Sequence, residues 1–534
     1  MTVIPEIPAT TATSKWWRDP TTVLLIGLGF AALISLIVYI GRGVALFGDL
    51  RLFATSGGEG VIIHNVWKAA HGFDVYLFPD RDPFDITLYN YLFFFTYGRL
   101  SAWCGMEGDA LVTFCRLLTL SSATLGAFAQ WRIMGMALGI MNRRESAIVA
   151  LFCFLAWYGT FYMNWWLVSV RPDVPAVALA TTGLWLFLKS LRTGSRWWPI
   201  VLAIIAFYAA WAFKQSVVWM LTGAVAGALS LVHCRRQAFL LAIPTAIFFA
   251  ITLIAGTDAY RYQILTAPAL SPIIINDSMQ RFIALIPPLA IFWIFAALHP
   301  AIRYIPMLRR SIIFPPLEEH GVIVQRILAV ICVIAVTMGF IAIGKDGSGR
   351  NHLMEAVIAI SMLSTIQFIQ LMRAPPSPVQ IKILWLAAIL ATTLCVRPIH
   401  SAFRSEFTGY RSGTNEDVMR HQQLAAVMRD LPKPVFVRDD IQSQAWNSTN
   451  GKNPAVILDP VYYFAAKSAN KLLGGGLPTL FTEQRFASIL IAKYDSFYDE
   501  VVPAAVAAGY QEEQTLPPML QAAGFKLFIL KKIE

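Results

Sequence analysis

The feature that most constrains this chain is its run of long apolar stretches, each near the roughly 20 residues a helix needs to cross a hydrocarbon core. Of 534 residues, 57% are hydrophobic and only 14% are charged. A soluble domain carries about a quarter charged residues, and a mean hydropathy of +0.57 lies far from that regime. Disordered, collagen-like and disulfide-scaffold classes are excluded, and so is an ordinary cytosolic enzyme. The expected class is a polytopic α-helical membrane protein. Spans are expected near 21–41, 110–140, 146–168, 174–190, 197–213, 216–233, 238–256, 282–299, 327–344, 356–372 and 381–397, about eleven crossings in all.

Beyond Arg397 the texture changes. Residues 398–534 hold fourteen Lys and Arg against fourteen Asp and Glu, so the whole net charge of +11 lies in 1–397. Two domains follow: a basic transmembrane domain over 1–397, with an outer loop at 42–108, and a small α/β soluble domain over 398–534. The six cysteines (Cys104, Cys115, Cys153, Cys234, Cys332 and Cys395) all sit in or beside apolar stretches. They form neither a disulfide framework nor a CxxC metal signature and read as small apolar core residues.

Positive charge marks cytoplasmic loops. Lys15 and Arg18 precede the first span, and short connections carry Arg143-Arg144, Lys189/Arg192/Arg196, Arg235-Arg236, Arg303/Arg309/Arg310/Arg326 and Arg373/Lys382. Alternation then requires 42–108 to begin and end outside. The apolar stretch Leu88–Cys104 within it reads as an outer interfacial helix, not a crossing. The N-terminus is expected in the cytoplasm and the 398–534 domain on the outer side.

With that topology, Glu59, Asp74, Arg171, Asp173, Lys214, Asp258, Arg261, Lys345, Asp346, Arg350 and Glu355 all fall at outer membrane ends. Singly, each is explained by snorkelling. Together they suit a site for an anionic, membrane-embedded substrate, with a base in an aqueous pocket and a phosphate clamp at headgroup depth. Three strings carry the chemistry. In Gly58-Glu59-Gly60…Gly72…Tyr76, residues 61–71 read as a short amphipathic helix led by Glu59, whose carboxylate has the chemistry of a general base. Arg171-Pro172-Asp173 fixes an ion pair at a helix start. In Gly347-Ser348-Gly349-Arg350-Asn351-His352…Glu355, two glycines open the backbone beside a cation, a phosphate-binding arrangement. Lys214-Gln215 adds another cation between two outward helix ends.

These strings, together and in order, resemble the GT-C superfamily of integral-membrane glycosyltransferases, particularly the branch akin to aminoarabinose and protein O-mannosyl transferases. The matching residues are Glu59-Gly60, Gly72, Tyr76, Tyr89-Asn90-Tyr91-Leu92, Arg116-Leu117, Arg171-Pro172-Asp173, Lys214-Gln215-Ser216 and Gly347 to Glu355, over most of 20–375. One departure matters. Gly58 stands where the family carries the first acid of a pair, so the base role falls on Glu59, or on Asp49 or Asp173.

The resemblance implies transfer of a sugar from a polyprenyl-phosphate carrier to an acceptor hydroxyl on a glycolipid, polysaccharide or protein, by inverting displacement. Glu59 and Asp173 would be catalytic. Lys214, Arg350, Arg171 and Lys345 would hold the donor phosphate, and Tyr76, Gln215, Asn351 and Glu355 would line the substrate. It further implies a bacterial inner membrane with a periplasmic C-terminal domain. The bilayer, donor and acceptor are the expected partners, with no nucleic acid.

His64, His71 and His352 share the outer region, but no ligand spacing appears, so neither a metal nor any other cofactor is expected. A diphosphate-glycan ligase, and a transporter or flippase, are the rival classes. The transporter would need mid-span charges and two matching halves, and neither is apparent. In the tail, Val435–Val437, Ser488–Ile491 and Lys526–Leu530 read as strands. Stretches 414–429, 459–473 and 500–508 read as helices and Gly474–Gly476 as a plain turn, while the Asn447-Ser448-Thr449 sequon is uninformative without the organism.

Overall fold

A computed structural model describes residues 19–47, 59–78, 87, 89–159, 163–192, 196–270, 272–284, 286, 290, 292–297, 316–345, 350–375, 377–403, 415–432, 434–437, 467, 476–493 and 495–530. Among the described residues, five segments are helical, long and apolar enough to cross a bilayer: Pro20–Val44, Gly108–Leu138, Val232–Ala255, Glu319–Ile343 and Asn351–Arg373. The chain is an integral membrane protein. Its first domain comprises α1 (Pro20–Leu46), α2 (Glu59–His71), α3 (Tyr91–Trp103), α4 (Gly108–Leu138), α5 (Arg143–Phe154), α6 (Asp173–Ser190), α7 (Trp198–Phe213), α8 (Trp219–Leu229), α9 (Arg235–Ala255), α10 (Ile275–Ile283), α11 (Glu319–Ile343), α12 (Met354–Arg373) and α13 (Pro378–Phe403).

Most expected spans coincide with one of these helices, but three results differ. The stretch expected as one span over 146–168 is α5, then a π-turn at Leu155–Gly159 and a 3-10 turn at Asn164–Val168. Trp157 explains the break. Its indole fits a slot at Gly126, where a Cβ would meet the ring at 2.2 Å, and its Nε1 donates to Gln130 Oε1 at 2.9 Å. A wide turn is the local device that seats so large a side chain.

The helix expected to be amphipathic over 61–71 instead begins at Glu59 and is buried on all sides through Lys68, His64 and Asn65 included. It packs on α3. At 13 residues, α3 spans about 20 Å, too short to cross. The third difference is coverage: much of the span expected at 282–299 lies outside the described residues.

Packing is tight where glycines replace side chains. On α8, Gly223 and Gly227 let α11 approach so closely that a Cβ on Gly223 would stand 2.6 Å from Ile331 Cα. This is the small-residue contact through which membrane helices associate. Gly223→Leu is expected to force α8 and α11 apart and destabilise the protein by about 1–3 kcal/mol. The check is the thermal midpoint of the purified variant, and an unchanged midpoint would contradict this packing.

The C-terminal part forms a four-stranded sheet in the order β1-β2-β4-β3, from β1 (Val435–Val437), β2 (Ser488–Ala492), β3 (Tyr510–Glu513) and β4 (Phe525–Leu530). β1 runs parallel to β2, and β4 runs antiparallel to β2 and β3, with Ile489 opposite Phe528. Alternation sorts the two faces. Phe436, Ile489 and Phe528 pack under α15 (Leu477–Thr482) and α16 (Tyr498–Ala507), while Val435, Leu490 and Leu527 pack with Leu424 and Met428 of α14 (Asn415–Asp430). Three strands and two helices lie where expected, and β3 was not anticipated. Gly476, at φ +75°, starts α15, so a helix does follow the glycine triplet. The 459–473 helix falls almost wholly, and the sequon wholly, outside the described residues.

Candidate functional site

Several helix ends converge at one end of the membrane domain. Glu59 opens α2, Asp173 opens α6, Lys214 ends α7, and Asn351 lies in the 3-10 turn Arg350–Leu353 ahead of α12. A charged residue at a helix end needs a partner from elsewhere, and here the partners are one another.

Glu59 is fully buried. Arg116, two turns inside α4 and also fully buried, clamps it through Nε to Oε1 at 3.0 Å and Nη2 to Oε2 at 2.9 Å. Val170 N–H donates to the same Oε1 at 2.7 Å. The next residue, Arg171, donates to the hydroxyl of Tyr89 and places Nε 3.4 Å from Asp173 Oδ2. Asp173 Oδ1 accepts from both Lys214 Nζ and Asn351 Nδ2. Arg171 and Lys214 each stand 5.8 Å from the Tyr89 ring, within cation–π range. One continuous polar network therefore joins α2, α4, the 170–173 turn, α7 and the start of α12. It contains three cations and two carboxylates.

The sequence-predicted residues divide around this network. Glu59, Arg171, Asp173, Lys214 and Asn351 are brought together in it. Lys345 is half-buried, bridged through its backbone to Ile273, and shares the surroundings of His352 with Lys214, Asp173 and Arg171. Gln215 is partly buried beside Lys214. The backbone of Arg350 begins the 3-10 turn, while its side chain, together with Gly58, Asp49 and Gly347–Gly349, lies outside the described residues.

Three of the predicted residues have their polar atoms engaged by partners within the protein. Glu59 is sealed: taking up a proton would break a bidentate ion pair and a backbone hydrogen bond. Tyr76 gives its hydroxyl to Tyr89 carbonyl at 2.8 Å, so it positions the loop under Arg171. Glu355 is buried and accepts Met220 N–H at 2.9 Å, so it caps the start of α8.

Sequence reasoning gave no role to Arg116, although a lone arginine inside an apolar span is itself a signal. It also missed Gln263, a fully buried residue whose amide accepts from Thr87 N–H and donates to Leu77 carbonyl. Asn90 binds Tyr260 hydroxyl at 2.6 Å and Trp211 carbonyl at 3.0 Å, which fastens the start of α3 to α7. Among the described residues, no group of three His, Cys, Asp or Glu is placed to hold a metal.

Burial, with Lys68 nearby, pushes the His64 imidazole well below its usual pKa. The folded protein thus keeps His64 neutral while the unfolded chain takes up a proton below about pH 6.5. Stability should fall as pH drops from 7.5 to 5. His64→Leu should flatten that slope in thermal-midpoint measurements, and equal slopes would refute the assignment.

No family model matches the sequence, and no curated protein matches it. Solved structures do match the fold. ArnT from Cupriavidus metallidurans in the apo state matches with a TM-score of 0.56 at 12% identity, over 94% of this chain and 98% of that one. The same protein bound to undecaprenyl phosphate gives 0.55 at 10%, over 95% and 98%. The Archaeoglobus fulgidus oligosaccharyltransferase tethered to an acceptor peptide gives 0.52 at 12%, over 97% of this chain and 74% of that one.

Proposed function

From the GT-C fold that the chain shares with ArnT and the archaeal oligosaccharyltransferase, we propose that it is a glycosyltransferase acting at the outer face of a bacterial inner membrane. It would move a sugar from a polyprenyl-phosphate carrier to an acceptor hydroxyl. The observation that carries this reading is the buried network at one end of the helices, where Arg171 and Lys214 stand beside an acid that only partly neutralises them. The undecaprenyl phosphate bound to a structural neighbour belongs to the same donor class.

Departure of the polyprenyl phosphate builds negative charge on its oxygens, and preorganised cations in a dry setting stabilise that charge without reorganising. Lys214 and Arg171 are the described groups placed for this, with Lys345 near them. Asp173 orients Lys214. A single displacement inverts the anomeric centre. Both carboxylates of the network are committed to cations, so the acceptor's proton passes to an acid outside it, and Asp49 is the first to test. Neither metal nor cofactor takes part.

The test is release of polyprenyl phosphate from a panel of polyprenyl-phosphate sugars, with the anomer of the product determined. Wild-type protein should release it, and Asp49→Asn should fold and bind donor but release little. Glu59→Gln should lose thermal stability along with activity. A retained anomer would overturn the single displacement. Absence of release with a competent acceptor pool would overturn the donor class.

A further inference from the structure

The network leaves two of its buried acceptors without a hydrogen-bond donor among the described residues. A carboxylate oxygen can only accept, so the Asn351 amide must turn its Nδ2 toward Asp173, and this fixes its Oδ1 on the other side. That Oδ1 is buried and has no hydrogen-bond partner among the described residues. Asp173 Oδ2 is in the same condition, because Arg171 Nε at 3.4 Å is not aligned to donate to it. Asp173 is 1% exposed and Asn351 9%. Buried acceptors left unpaired forfeit the hydrogen bonds water would give them, and two side by side call for an explanation.

The neighbouring charges restrict what satisfies them. Arg171 and Lys214 contact the same carboxylate, and Lys345 shares the surroundings of His352 with them. On the anionic side, Glu59 is consumed by Arg116 and Glu355 by the start of α8. A bare anion would suit the cations and be repelled by the two acceptors. A cation would suit the acceptors and be repelled by Arg171 and Lys214. A molecule with a phosphate and neutral O–H donors a few ångströms apart suits both.

Resting on the donor class proposed above, we infer that Asp173 Oδ2 and Asn351 Oδ1 receive hydroxyl hydrogens of the sugar on the donor, and that this sugar is neutral. An ammonium in place of a hydroxyl would sit against two cations already committed to the same acid. The pair thus selects against amino sugars while the cations hold the phosphate.

The experiment measures binding separately from turnover, on detergent-purified full-length protein. The probes are bare polyprenyl phosphate, polyprenyl-phosphate glucose and polyprenyl-phosphate 4-amino-4-deoxyarabinose. Wild-type protein should bind the glucose donor about tenfold more tightly than the bare lipid, and the amino-sugar donor no more tightly than the bare lipid. Asn351→Ala should erase the glucose advantage while keeping the affinity for bare lipid, which also reports that the variant is folded. Asn351→Asp, with a second negative charge, should admit the amino sugar.

An amino-sugar donor bound by wild type as tightly as the glucose donor would overturn the inference. So would a glucose advantage that survives Asn351→Ala. Selective binding of the glucose donor without turnover would uphold the sugar subsite and overturn the transferase reading. Turnover without sugar discrimination would do the reverse.

Discussion

Arg116→Met should cost the protein about 3–5 kcal/mol, because it leaves the Glu59 carboxylate buried between α2 and α4 without its Arg116 counter-charge. Both side chains are fully excluded from solvent, so no snorkelling route relieves the charge. The double variant Glu59→Leu/Arg116→Met should recover most of that stability, since well-packed apolar pairs replace buried ion pairs at little net cost. It should not recover activity, because Val170 N–H would lose its acceptor and the Arg171–Asp173 turn would no longer be pinned. Thermal midpoints and polyprenyl-phosphate release on the three variants decide the point. If the single and double variants are equally unstable, the pair is not the element that holds these helices.

Lys214→Met should lower release of polyprenyl phosphate by about 10²–10³, the range for removing one preorganised group from developing negative charge. The fold should persist. Asp173 would keep Arg171 and Asn351 as partners, and Lys214 lies on a connection between α7 and α8, not inside either. Lys214→Arg should restore part of the rate, because the charge survives while the geometry of a point cation does not. A Met variant with wild-type turnover would remove Lys214 from the chemistry and shift the phosphate clamp to Arg171 and Lys345.

Much of the site was legible because ionisable residues at membrane ends are few and each demands a reason. Arg171, Asp173 and Lys214 were found that way, and they do meet; Asn351, which joins them, came from the Gly347–Glu355 string instead. What sequence could not give was pairing. Glu59 and Arg116 are 57 positions apart, and neither neighbourhood names the other. Once paired, an acid that read as an exposed base becomes a buried strut. Glu355 is a similar case, since its partner is a backbone N–H and carries no side-chain signal.

The fold was readable where hydrophobicity alone decides, as in α1, α4, α9 and α11. It was not readable where a protein surface replaces the expected solvent or lipid. His64, Asn65 and Lys68 look like an aqueous face, yet α2 is covered. β3 escaped notice because a sheet-edge strand reading Tyr-Gln-Glu-Glu has little apolar character to display.

The packing of α1 against α13 has a consequence for biosynthesis. Leu24, Leu28 and Ala31 of the first helix are buried, and Leu384, Ala387 and Ala388 lie buried on α13, about 360 residues later in the chain. At about 5–20 residues per second, a ribosome takes on the order of 20–70 s to deliver α13 after α1. During that interval part of the first helix faces lipid or an insertion chaperone instead of its eventual neighbour. The membrane domain therefore closes like a ring whose clasp is made last, and a ribosome that stalls before Pro378 leaves it open.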